Sequence, residues 1–193
     1  MTEKVYKETY ISVDIEASGP IPEVYSMLSV GACVIGDTSK TFYVELKPLN
    51  DNYIQQALDV TGFSMEKLKK NGTDPRKAMK DFEKWIKAEA APNSRAVFVS
   101  LGTFDWMFVQ YYLYKYLGRK PFGFNGIDIK SYYMGMANSD WKGTTTKRIR
   151  KKNPRLTPKR KHTHNALDDA ISAAELFEKI LEFNSEKNET VPE

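Results

Sequence analysis

The chain of 193 residues has one cysteine, two histidines and no uninterrupted apolar run of membrane-spanning length. Cys33 cannot close an intramolecular disulfide, which suits a reducing compartment. The opening MTEKVYKETY lacks the apolar core of an export signal and is too acidic for a transit peptide, so a cytoplasmic location is expected. The longest apolar stretch, 96–114, reads AVFVSLGTFDWMFVQYYLY and carries Asp105 near its centre. A bilayer would impose about 2.5 to 3.5 kcal/mol on that carboxylate. With Gly102 nearby, the stretch reads as a buried strand, a turn and a helix, and no membrane association is expected.

The remaining composition is that of one soluble domain, with 41% hydrophobic and 28% charged residues. Such a chain can bury about 70% of its unfolded surface and needs no staple to fold. The net charge of +4 hides a block. Between 142 and 162 lie ten Lys or Arg and no acid, and the other 19 basic residues face 25 acidic ones, a balance of −6. An acidic body with one basic stripe points to a localised polyanion contact.

Alternation and β-forming residues predict strands at 8–15, 28–35 and 40–46, with a hairpin through GDTSK. Short helical pieces follow in 50–71. Asp74 and Pro75 open an amphipathic helix over 74–90 carrying Ala78, Phe82, Trp85 and Ile86 on its apolar face. A buried strand at 95–100 and an aromatic-rich helix at 103–117 come next, then a short strand and helix within 127–136. Beyond the basic block, the last helix spans 166–183. These elements predict an α/β fold, a mixed sheet with helices packed on it. A single domain is expected over 1–184, with 142–162 as a basic insertion and 185–193 as a frayed polar tail.

Three sets of carboxylates stand out. Asp14 and Glu16 alternate with Val13 and Ile15, so two acids share one face of what is expected to be a central strand, about 7 Å apart. Desolvation and mutual repulsion oppose their joint ionisation, and a divalent cation would relieve both. A plain surface pair at a strand end is the alternative. Asp105 falls in the first turn of a helix, where the macrodipole rewards an acid by about 0.3 to 1 kcal/mol. Its neighbours Phe104, Trp106 and Phe108 leave little room for water, so a cationic partner is the competing explanation.

The third set is His164-Asn165-Ala166-Leu167-Asp168-Asp169-Ala170, with His162 just before it. Early acids behind an Asn165 or Thr163 cap make a good helix start. If His164 is helical, Asp168 stacks on it; if His164 lies in the loop, spacing does not choose between Asp168 and Asp169.

Together, the D-x-E of the first strand, the F-D at a later helix start and H-N-A-L-D-D-A on the last helix resemble the DEDDh group of 3'-to-5' exonucleases, which includes proofreading exonucleases, RNase T and oligoribonuclease. The second motif has the S-x-G-x-x-D form, Ser-Leu-Gly-Thr-Phe-Asp, and lacks the Asn that some members carry four residues before the Asp. The resemblance implies an RNase H-like mixed five-stranded sheet flanked by helices. It also implies two divalent cations, Mg²⁺ or Mn²⁺, on Asp14, Glu16, Asp105 and Asp169, with Asp168 a bystander. His164 would be the general base, a role that suits the ordinary imidazole pKa of about 6.5. Ile15 and Ala17, beside Glu16, would touch the nucleic acid.

The implied reaction releases 5'-mononucleotides from single-stranded RNA or DNA by in-line displacement. The basic block runs directly into His164, so Lys147, Arg148, Arg150, Lys151, Lys152, Arg160 and Lys161 are expected to neutralise substrate phosphates without reading sequence. A solvated loop is the bland alternative for that block. Competing functions are a non-catalytic nucleic-acid-binding module of the same fold and a hydrolase of short oligonucleotides. Homodimerisation and the choice between RNA and DNA are left open by these residues.

Overall fold

The computed structural model describes residues 7–160 and 162–189. Along the chain run β1 (Lys7–Ala17), β2 (Met27–Val34), β3 (Asp37–Glu45), α1 (Gln55–Thr61), α2 (Met65–Asn71), α3 (Pro75–Glu89), β4 (Ser94–Ser100) and α4 (Phe104–Leu117). Then come β5 (Gly126–Asp128), α5 (Ile129–Ala137), α6 (Thr146–Lys152) and α7 (Ala166–Glu189), with short 3-10 turns at Trp141–Thr144 and Pro154–Leu156. The strands form one mixed sheet in the order β3-β2-β1-β4-β5. β1 sits at its centre, antiparallel to β2 and parallel to β4.

The alternation of β1 decides what packs on each face. Ile11, Val13 and Ile15 are buried against Met79 and Phe82 of α3 and Phe108 and Tyr112 of α4. Ser12, Asp14 and Glu16 point the other way, toward α7, where the Ser12 hydroxyl donates to the Ala170 carbonyl at 2.7 Å. On that side, Val99 of β4, Ile129 and Tyr133 of α5, Ile149 of α6 and Phe177 and Ile180 of α7 build a second core. No described helix is long and apolar enough to cross a membrane.

Three local outcomes refine the sequence expectation. The β2–β3 hairpin turns at 35–36, where Gly36 adopts a φ of 91°, and Asp37 onward already pairs in the sheet. The basic block is folded: α6 is pinned by Ile149, and the following 3-10 turn by Leu156, both fully enclosed. The last helix continues past 183 to Glu189, and Arg155 grips Glu186 through two hydrogen bonds of 3.0 and 2.8 Å. Residues 190–193, and Lys161 of the basic block, lie outside the described residues.

Candidate active site

β1 outruns its parallel neighbour. Their pairing stops at Ser12 opposite Val99, β4 ends at Ser100, and the chain turns through Gly102, φ 133°, into α4. A crevice at the carboxyl ends of adjacent parallel strands is the usual place for a ligand in an open α/β sheet. Asp105, in the first turn of α4, reaches back into it, and its Oδ1 accepts the amide hydrogen of Ile15 at 3.1 Å. The carboxylate thus takes an amide that β4 no longer reaches, which fixes it beside Asp14 and Glu16.

Asp169, in the first turn of α7, comes from the opposite side. One carboxylate oxygen each from Asp14, Glu16 and Asp169 lie within 4.8 Å of one another. Such crowding is unfavourable for anions. Asp14 is held well above the usual carboxylate range by burial first, then by the charges of Asp105, Glu16 and Asp169. Glu16 is pushed up to about 8 by burial and by Asp169 and Asp105. Burial lifts Asp105 to about 7, against the lowering effect of the Ile15 and Asp105 amides and the Lys130 ammonium. A hard, oxygen-only donor set that holds protons near neutrality fits Mg²⁺ or Mn²⁺, which would displace those protons.

The loop into α7 is locked onto Asp169 by its backbone. The amides of Thr163 and His164 donate to Asp169 Oδ1 and Oδ2 at 2.8 and 2.9 Å. His164 adopts a φ of 57°, so it is not helical, and the helical stacking that would have favoured Asp168 does not occur. Asp168 instead pairs with Arg160 and accepts from the Thr163 hydroxyl at 3.1 Å. Asn165 caps the helix through the amides of Leu167 and Asp168. Both histidine rings are exposed, 4.6 Å apart, and it is His162 whose Nδ1 lies 2.8 Å from Asp169 Oδ2.

The residues expected at the nucleic acid divide into groups. The Ile15 side chain is buried in the core and its amide is taken by Asp105. Ala17 lines an open groove of ≈ 440 Å³ that begins at Glu16 and is walled by Pro20, Ile54, Val60 and Phe104. Lys147, Arg148, Lys151 and Lys152 project from α6 into solvent, Arg150 is exposed but folds back so that its Nε donates to the Thr146 carbonyl at 3.4 Å, and Arg160 is tied to Asp168. Sequence reasoning missed Ile54, Val60 and Lys130. The groove is assembled from separate segments, and no local pattern marks it.

The chain matches the model of the 3'-5' exoribonuclease Rv2179c-like domain over residues 9–181. It is 44% identical over 182 residues to the 3'-5' DNA exonuclease Cap18 of Escherichia coli, covering 94% of this chain and 96% of that one. Among solved structures, the nuclease domain of 3'hExo, a DEDDh family member bound to rAMP, superposes with a TM-score of 0.74 at 18% identity, covering 93% of this chain and 94% of that one. E. coli exonuclease I in complex with a dT13 oligonucleotide gives 0.70 at 14% identity, over 94% of this chain and 42% of that one. The mixed five-stranded sheet with its flanking helices is therefore the RNase H-like exonuclease fold.

Proposed function

Since the chain belongs to the family of 3'-5' exoribonuclease Rv2179c-like domains, and so to the 3'-5' exonucleases, we propose that it removes 5'-mononucleotides from the 3' end of single-stranded nucleic acid, with divalent cations on Asp14, Glu16, Asp105 and Asp169 and His164 as general base. The observation that carries this reading is the crowding of Asp14, Glu16 and Asp169 within 4.8 Å, with Glu16 pushed up to about 8. Bound Mg²⁺ or Mn²⁺ supplies charge neutralisation at the phosphoryl centre and a more acidic water. The active unit in this proposal is the domain of 1–184, its basic segment 142–162 included.

The chain's own groups do the remainder. The groove of Ala17, Ile54, Val60 and Phe104 takes the terminal nucleoside, whose base prefers apolar walls. Exposed on its loop, His164 accepts a proton from the attacking water at a ring nitrogen, and α6 offers cations to the strand. The new bond joins the water oxygen to phosphorus, the bond from phosphorus to the 3' oxygen breaks, and that oxygen leaves with a proton from solvent. The freed nucleotide retains its 5'-phosphate.

The test uses matched RNA and DNA strands, single and duplex, labelled at the 5' end, with Mg²⁺, Mn²⁺ or EDTA. A ladder shortening from the 3' end, released 5'-mononucleotides and silence in EDTA are expected. Cation-independent cleavage or internal cuts would overturn the proposal. The same assay separates the sugars, which is needed because the matching family is described for RNA and the Escherichia coli relative for DNA.

A further inference from the structure

A second concavity lies between α6 and the loop that carries the histidines. It has a volume of ≈ 400 Å³ and is lined by Thr146, Arg150, Pro158, Arg160 and His162. Three features make it a built site. Its far wall is braced: Glu175 Oε2 accepts the amides of Lys159 and Arg160 at 2.5 and 3.0 Å, and the Ser172 hydroxyl donates to the Arg160 carbonyl at 3.1 Å. Its near wall is anchored, because Ile149 is fully buried next to Arg150. Its charge is uneven, since Arg160 is neutralised by Asp168 whereas Arg150 has no carboxylate partner among the described residues.

The position follows from shared residues. The apolar groove shares Glu16 with the carboxylate cluster. The basic cavity shares His162, which touches Asp169 of that cluster. Groove and cavity thus each border the carboxylate cluster, the first through Glu16 and the second through His162. A strand held by its 3' terminus presents a base and no further phosphate at one end, and a continuing row of phosphodiesters at the other. The apolar end suits the former and the cationic end the latter.

We infer that this cavity is a phosphate seat for the substrate strand, taking a phosphodiester on the 5' side of the scissile bond between the Arg150 guanidinium and the Thr146 hydroxyl. This rests on the exonuclease reading above. A guanidinium fork matches two phosphate oxygens at once, which an ammonium does not. Arg160 and Asp168 hold the opposite wall in place. The seat distinguishes Arg150 from Lys147, Arg148, Lys151 and Lys152, which add charge without enclosing a ligand.

The test measures binding of non-cleavable phosphorothioate strands of two and eight nucleotides in EDTA, beside hydrolysis of the normal eight-mer. The eight-mer should bind more tightly than the dimer, and Arg150→Ala should remove about tenfold of that gain, the worth of one charge-assisted hydrogen bond. Lys84→Ala, on exposed α3 surface and removing the same charge, should leave the gain intact. Arg150→Lys should recover only part of it. Full recovery by Lys, an equal loss in Lys84→Ala, or an undiminished gain in Arg150→Ala would each overturn the seat. Competition by free 5'-mononucleotide that depends on Arg150, with no dependence on strand length, would also overturn it in favour of a product site. A wild-type protein that binds the eight-mer with the expected Arg150 dependence yet never cleaves it would overturn the exonuclease reading alone.

Discussion

The ring of His162, not that of His164, lies against Asp169, with Nδ1 2.8 Å from Oδ2. His164 meets the same oxygen through its backbone amide at 2.9 Å, and its exposed ring packs on that of His162 with a nitrogen within 4.8 Å of the Asp169 carboxylate. The two histidines should therefore fail differently. His164→Ala should lower turnover by about 10²- to 10⁴-fold, the usual worth of a general base, while leaving Mn²⁺ affinity unchanged by calorimetry. His162→Ala should tighten Mn²⁺ binding, because it removes a ring nitrogen packed 2.8 Å from the Asp169 oxygen and so leaves that oxygen open to the cation. Weaker Mn²⁺ binding in His162→Ala would mean that the ring is itself a ligand.

Asp105 is the acid whose charge and fold role separate most cleanly. Its Oδ1 accepts the Ile15 amide at 3.1 Å, a role that the carbonyl of Asn can keep. Asp105→Asn should preserve the fold, relieve repulsion on Asp14 and Glu16, and so raise the melting temperature in EDTA at pH 8. Mn²⁺ should no longer raise it further, and hydrolysis should be lost. An undiminished Mn²⁺-induced rise in melting temperature would remove Asp105 from the ligand set.

Much of this arrangement could be read from sequence where one element carries its own signal. The alternation of Val13, Asp14, Ile15 and Glu16 is a property of one strand, and it assigned the faces correctly. Choosing between Asp168 and Asp169 needed the φ of His164, a tertiary fact. α6 was hidden because a seven-residue helix with one buried apolar residue, Ile149, has no period to detect. The same alternation of β1 turns the Ile15 side chain into the core. The groove residues Ile54, Val60 and Phe104 converge only through the fold.

Without a cation, stability should fall as pH rises. Folding raises Glu16 from 4.5 to about 8 and Asp105 from 3.8 to about 7, so the folded chain holds protons that the unfolded chain has already released. Stability from these groups is complete below about pH 4, declines through neutrality and levels off once pH passes their folded values. Melting curves in EDTA from pH 5 to 9 should show this decline, and Glu16→Gln should flatten it. Mn²⁺ should protect more at pH 8 than at pH 6. A flat or rising profile in EDTA for the unmodified chain would contradict the crowded-carboxylate account.

The start of α7 reaches its place only because β2 has no side chain at position 31. Gly31 lies opposite Asp14 in the sheet, and a Cβ there would fall 2.3 Å from the Ala166 carbonyl carbon and the Leu167 nitrogen. These are backbone atoms of the first turn of α7, so no rotamer change can make room. Gly31→Ala should push that turn off the sheet, destabilising the fold by about 1 to 3 kcal/mol, as overpacking does. Asp169 and the His164 loop ride on the same turn, so hydrolysis and Mn²⁺ affinity should fall together, even at temperatures where the variant is fully folded. Gly135→Ala is the matched control, because a Cβ in α5 meets nothing within 4 Å. It should gain about 0.5 to 1 kcal/mol from helix propensity and keep its activity. If Gly31→Ala behaves like Gly135→Ala, the contact between β2 and α7 is not what places Asp169 opposite Asp14.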